Sequence, residues 1–291
     1  MTQGLSGSPY NFEYMILDKV FSTADITSYG SRLKTRLAKL TKKWDDDLNA
    51  EWMIRGYLSV KMIYAATIML TSLEYSREKN VQVVWPYLSY YSLFNCCRAL
   101  LYSDTNVLWK DGKLASLSHP AVMKQAGSSI RAVNKTTGEA FQYRIDESRE
   151  VREIFSYKFP ANGIKGLSEY RLQDFDSLIS DCRTLVELAQ FNSECLEMSY
   201  GKHAAGHFTF NKDIIDNLFE GTGKDRALVI DDEDLYRIGY VCRKQPHPLN
   251  LAFRMTEGMT EDWFGSWCPE DDTEEDTYNP DSNWGIIFPC P

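Results

Sequence analysis

The chain is poor in glycine, with 17 in 291 residues, and that scarcity excludes a collagen-like repeat. It lacks any repeated short cysteine spacing: the seven cysteines stand at 96, 97, 182, 195, 242, 268 and 290. An odd, unpatterned set in a chain long enough to build its own core excludes a disulfide scaffold, so reduced thiols in a cytoplasmic protein are expected. No basic segment followed by an apolar one opens the chain, so its first residues do not read as a secretion signal. No uninterrupted apolar run reaches membrane length either. Residues 57–73 come nearest, but Lys61, Ser59, Thr67, Thr71 and Ser72 interrupt them, so a buried helix and no membrane partner are expected.

Positive charge is also in deficit. The 32 Lys and Arg against 41 Asp and Glu leave a net charge of -9, which argues against indiscriminate polyanion binding but leaves room for a local basic cleft. Nine of the acids fall between Glu261 and Asp281, a stretch without Lys or Arg. What is present is a foldable composition, 43% hydrophobic and 13% aromatic, which excludes a wholly disordered chain. No internal repeat is found.

Helical spacing dominates the first 200 residues. Residues 31–49 carry Leu33, Leu37, Leu40 and Trp44 on one face of an amphipathic helix. Residues 51–79 read as a long helix with Gly56 its only breaker, and Trp85–Ser103 as a helix apolar nearly all round, suited to the middle of a bundle. Ser118-His119-Pro120 opens a helix to about Val133; 134–139 reads as a break, 146–157 as a short helix and 171–198 as a long closing one. Beyond residue 200 the segments 227–231, 236–243 and 247–255 read as short strands.

The expected fold class is therefore mainly α, a helical bundle with a small C-terminal α+β appendage. Its expected divisions are an irregular segment and amphipathic helix at 1–44, the bundle at 45–200, and an α+β region with an acidic, Trp-rich tail at 201–291. That tail suits a solvated arm, a nucleic-acid mimic or a partner-docking peptide. Trp284, Ile286, Ile287 and Phe288 are too apolar to stay in water and are expected to dock on this chain or another.

The sequence SYYSLFNCCRALL at 89–101 resembles the motif helix of the HEPN proteins, and the order of elements across 45–200 fits that family. The resemblance implies a four- or five-helix bundle that usually dimerises, without a cofactor. In many members it is a metal-independent endoribonuclease of toxin-antitoxin, abortive-infection or other defence systems. The family's signature is an Arg, four to six residues, then a His. No Arg here has a His at that spacing. The nearest match is Arg152 with Tyr157, four residues apart, with Tyr in place of His; an ordinary Tyr, with a pKa near ~10, is a poor proton acceptor at neutral pH. Lys158 adjoins them and suits a phosphate.

Asn95 and Arg98 are the strongly polar residues of Trp85–Ser103, and burial without partners would cost ~1–3 kcal/mol or more each. Either they face the cleft beside Arg152, or Arg98 pairs with a carboxylate such as Glu74 or Asp181. His203 and His207 are four apart but have no accompanying Glu or Cys pair, so no metal site is expected; residues 221–225 read as a turn. Arg152 and Tyr157 are thus the candidate catalytic residues, and Lys158, Asn95 and Arg98 the candidate substrate-binding ones.

Two functions fit. One is a divergent defence or toxin-antitoxin protein that binds RNA or nucleotide and cleaves RNA. The other is a non-catalytic dimerisation module that recruits a protein partner through its C-terminal region. The first requires Arg152 and Tyr157 to share an open, basic cleft; the second allows them to be separated or sealed.

Overall fold

In the computed structural model, which describes residues 2–163, 165, 172–204, 206–208, 230–268 and 277–291, the chain is mainly helical, and no strand occurs among the described residues. After α1 (Leu17–Val20), a Ser22–Asp25 capping box starts α2 (Thr23–Thr41). Asp45 caps α3 (Asp46–Glu78), and Pro86 occupies the first turn of α4 (Trp85–Ser103). Next come α5 (His119–Val133) and α6 (Lys135–Glu153), which runs into a π-helical turn, Ile154–Lys158. Asp174 caps α7 (Phe175–His203), and the capping box of Asp231 and Asp234 starts α8 (Asp232–Lys244); α9 (Leu251–Arg254) and α10 (Glu257–Gly265) follow.

The short 3-10 turn Gln82–Val84 folds α4 back along α3, the most extensive pairing in the molecule, and α7 packs across α4 and α2. α3 is long and apolar enough to span a membrane by composition, but 72% of its most apolar window is buried inside the fold, as in the core helix of a soluble protein. Gly56 does not break it. A Cβ there would stand 2.9 Å from Arg254 Nε, so the glycine makes room for a buried guanidinium from α9.

Three expectations are corrected. α2 starts at Thr23 rather than 31, because Ser22 supplies the cap. The break at 134–139 is a single N-cap, Asn134, and the short helix expected at 146–157 is the end of α6, which runs from Lys135 to Glu153, together with the π-helical turn that follows it. Its Gly138 marks a close crossing, since a Cβ there would fall 2.5 Å from the backbone N of Arg131 on α5. Gly138→Ala is expected to lower stability by about 1–3 kcal/mol in urea unfolding, and an unchanged midpoint would show that the crossing relaxes freely. The strands at 236–243 and 247–255 are absent: the first is part of α8 and the second is an irregular stretch leading into α9. Leu235, Ile238, Val241 and Cys242 form a helical stripe on the core, and the Tyr57 hydroxyl and Lys61 ammonium of α3 both donate to Asp234. Residues 227–229 of the third expected strand, the turn at 221–225 and the acidic run 269–276 lie outside the described residues.

The chain's end folds onto its own body. Ile286, Ile287 and Phe288 are buried, Phe288 lies 5.2 Å from the ring of Phe12, and Arg183 of α7 donates from Nε and Nη2 to the Ile286 carbonyl at 3.0 and 2.9 Å. One continuous core therefore takes side chains from all three expected segments, from Phe12 to Phe288.

Candidate functional site

Tyr90, Phe94, Arg98 and Tyr102 recur every fourth residue on α4 and so form one stripe along it. α5 begins beside this stripe. Pro120 in its first turn fixes where the helix starts, and His119 is its first residue. The imidazole stacks 4.1 Å from the Phe94 ring at 14° and 5.8 Å from Tyr90 at 7°, with the edge of Tyr91 5.9 Å away. Its Nδ1 lies 2.7 Å from the Tyr90 hydroxyl. That hydroxyl accepts from Nδ1–H in one tautomer and donates to Nδ1 in the other.

Arg152, in the last turn of α6, completes the cluster. Its guanidinium lies 4.7 Å over the Tyr90 ring and 5.6 Å from that of Tyr91. Nη2 donates to the Tyr91 hydroxyl at 3.5 Å and stands 3.5 Å from His119 Nδ1. Three helices adjacent in sequence thus bring a guanidinium and an imidazole together on an aromatic floor, and both groups are half-buried rather than sealed.

The electrostatics follow from this packing. Burial, then the charges of Arg152 and Arg98, hold His119 below its ordinary 6.5, so it is neutral at pH 7. Burial also opposes the charge on Arg152, but the Tyr91, Tyr90 and Tyr157 oxygens outweigh it and keep the guanidinium firmly protonated. Burial pushes Tyr90 up to about 12 against the pull of Arg152, so its hydroxyl stays protonated. Among the described residues no carboxylate pairs with Arg152, Arg98 or Lys158.

The residues expected from the sequence are distributed around this cluster. Tyr157 is 80% exposed in the π-helical turn, where its hydroxyl acts on Arg152, and Lys158 beside it is exposed. The Tyr87 hydroxyl anchors that turn to α4 by donating to the Phe155 carbonyl at 2.8 Å. Arg98 pairs with neither Glu74 nor Asp181. Its Nη2 donates to the Tyr102 hydroxyl at 2.9 Å and the Ala115 carbonyl at 3.1 Å, while Asp181 is held by Arg144 at 2.6 and 2.8 Å. Asn95 is half-buried and makes no hydrogen bond to the cluster among the described residues.

His119 is the functional candidate that sequence reasoning missed. It stands 33 positions before Arg152 rather than a few after it, and its Ser-His-Pro context reads as a helix start. The stripe on α4 was the available clue, since a helix presenting Tyr90, Phe94 and Arg98 on one face needs something to cover them.

No protein-family model, curated protein or solved structure matches the chain. A fixed guanidinium with no carboxylate partner suits a phosphodiester, and a neutral imidazole beside it can take up a proton.

Proposed function

We propose that the chain is a divergent HEPN-like protein of a defence or toxin-antitoxin type system, cytoplasmic and dimeric, that binds RNA and cleaves it without a metal. The observation that carries this reading is the 3.5 Å approach of Arg152 Nη2 to His119 Nδ1, which supplies from α5 the histidine that the Arg152–Tyr157 spacing lacks. In the tautomer with Nδ1–H donated to the Tyr90 hydroxyl, where the guanidinium stands beside the ring without bonding to Nδ1, His119 Nε2 keeps a free lone pair and takes the proton of the RNA 2'-hydroxyl. The 2'-oxygen then bonds to phosphorus and the 5'-oxygen leaves, taking a proton from water, so the product ends in a 2',3'-cyclic phosphate. Arg152 neutralises the charge that builds on the phosphorane oxygens, and the exposed Tyr157 hydroxyl donates to one of them.

The test is incubation of the protein with RNA in EDTA beside Arg152→Ala. Cleavage that leaves cyclic ends and falls at least ~10²-fold in the variant is the expected result. No cleavage by the parent would turn the reading to the second function, a non-catalytic module that recruits a protein partner through its C-terminal region. That alternative draws on Tyr236, Tyr240 and Trp267, which are exposed there.

A further inference from the structure

The Arg152–His119 cluster stands at one end of a longer cationic line. Arg98 lies farther along the same stripe of α4, its guanidinium 5.9 Å from the centroid of the Phe94 ring on which His119 stacks. Arg98 in turn holds the 105–117 loop through the Ala115 carbonyl. That loop frames a cleft of about 190 Å³ in which Asn106, Lys110, Lys113 and Gln125 stand among Val107, Leu108, Leu114 and Leu117. Leu117 is two residues before His119, so the cleft and the cluster adjoin along the chain.

The loop presents its charge outward. Lys110, Asp111 and Gly112 all have left-handed backbones (φ 50°, 55° and 84°), and the Lys113 N–H donates to the Lys110 carbonyl at 3.1 Å, so both lysines sit on one tight turn. Left-handed backbone at two non-glycine positions is sterically disfavoured, and here it sets two ammonium groups at one cleft. Both lysines are exposed and pair with no carboxylate among the described residues. Asp111 is the sole acid of residues 105–117. The nearby Asp104 is buried with its oxygens taken by Asn106 and Ser129.

We propose that the RNA strand runs from Arg152 and His119 past Arg98 to the cleft where Lys110 and Lys113 hold a flanking phosphate. This rests on the reading of the cluster as a phosphodiester site and adds the place where the strand is held beyond it. Small nucleotides end at the cluster; a strand gains two further cationic stations, and with them a steep dependence on salt.

The test uses the full chain and Lys110→Gln/Lys113→Gln, with a labelled 12-residue 2'-O-methyl RNA, which cannot be cut, for binding and a ribodinucleotide for cleavage. Each phosphate neutralised on a single strand adds about 0.7 to the salt slope, so removing the two ammonium groups that hold one phosphate should lower the slope of 12-mer binding by about 0.7. Affinity should drop ten-fold or more near 0.1 M salt. Dinucleotide cleavage should stay within two-fold of the parent. An unchanged slope, or equal losses on both substrates, overturns the proposed track. A parent that cuts the dinucleotide while the double variant binds the 12-mer normally overturns the track alone, whereas a parent that neither cuts the dinucleotide nor binds the 12-mer overturns the phosphodiester reading with it.

Discussion

His119→Ala is expected to lower RNA cleavage by about 10²- to 10⁴-fold, the range over which a positioned proton acceptor contributes. The parent's pH profile carries the sharper version of the same prediction. Because burial and the charges of Arg152 and Arg98 hold His119 below 6.5, the imidazole stays unprotonated as pH falls through the ordinary histidine range. The acid limb of kcat/KM should therefore have an apparent pKa below 6.5. Arg98→Gln removes one of the two depressing charges without touching the imidazole, so its limb should move upward toward 6.5, while Arg152→Lys should leave the limb near the parent's because the charge is kept. Rates measured between pH 4.5 and 8 decide this. A loss under ten-fold in His119→Ala, or a limb that Arg98→Gln does not move, would remove His119 from the proton-transfer role.

The same cluster shows what a one-dimensional reading can reach. α4 was legible to the residue, from Trp85 to Ser103, because Pro86 marks its first turn and apolar side chains surround it. The line Tyr90, Phe94 and Arg98 was visible as part of the motif. Its covering residue was not, because a spacing motif names residues of one helix, here Arg152 and Tyr157, whereas the cluster is assembled from α4, α5 and α6. Gly138 shows the converse limit: a glycine beside Thr136 and Thr137 reads as a break, and only the 2.5 Å approach to the Arg131 backbone shows it as a crossing point. The segment 236–243 failed for a third reason. Its alternation of Tyr, Ile, Tyr and Cys imitates a strand, and the face that decides for helix is the stripe that Leu235, Ile238, Val241 and Cys242 turn to the core.

The fold's own stability should depend most visibly on a carboxylate that no local pattern announces. α1 begins after Ile16, a residue with no side chain able to cap it, yet the N–H groups of Met15, Ile16 and Leu17 are all satisfied. Glu187 of α7, only 4% exposed, accepts all of them, with Oε1 at 3.1 Å from Met15 and Ile16 and Oε2 at 3.0 and 2.9 Å from Ile16 and Leu17. The two groups are about 170 residues apart in sequence. Glu187→Ala strands three donors in a closed space and should cost about 3–5 kcal/mol in urea unfolding, whereas Glu187→Gln, which keeps one acceptor, should cost about half of that.

The pH dependence has a definite sign. Burial raises the Glu187 carboxyl above its ordinary 4.5 against the three N–H groups and Arg183, so its contribution is fully present below the unfolded value and diminishes as pH rises through the folded one. Groups common to both proteins cancel, so the parent's margin over Glu187→Gln should be widest near pH 4 and narrow toward pH 7. A Glu187→Ala variant within 1 kcal/mol of the parent would show that α1 is held by its apolar contacts and not by the carboxylate, and a margin over Glu187→Gln that grows with pH would show that the three N–H groups outweigh burial.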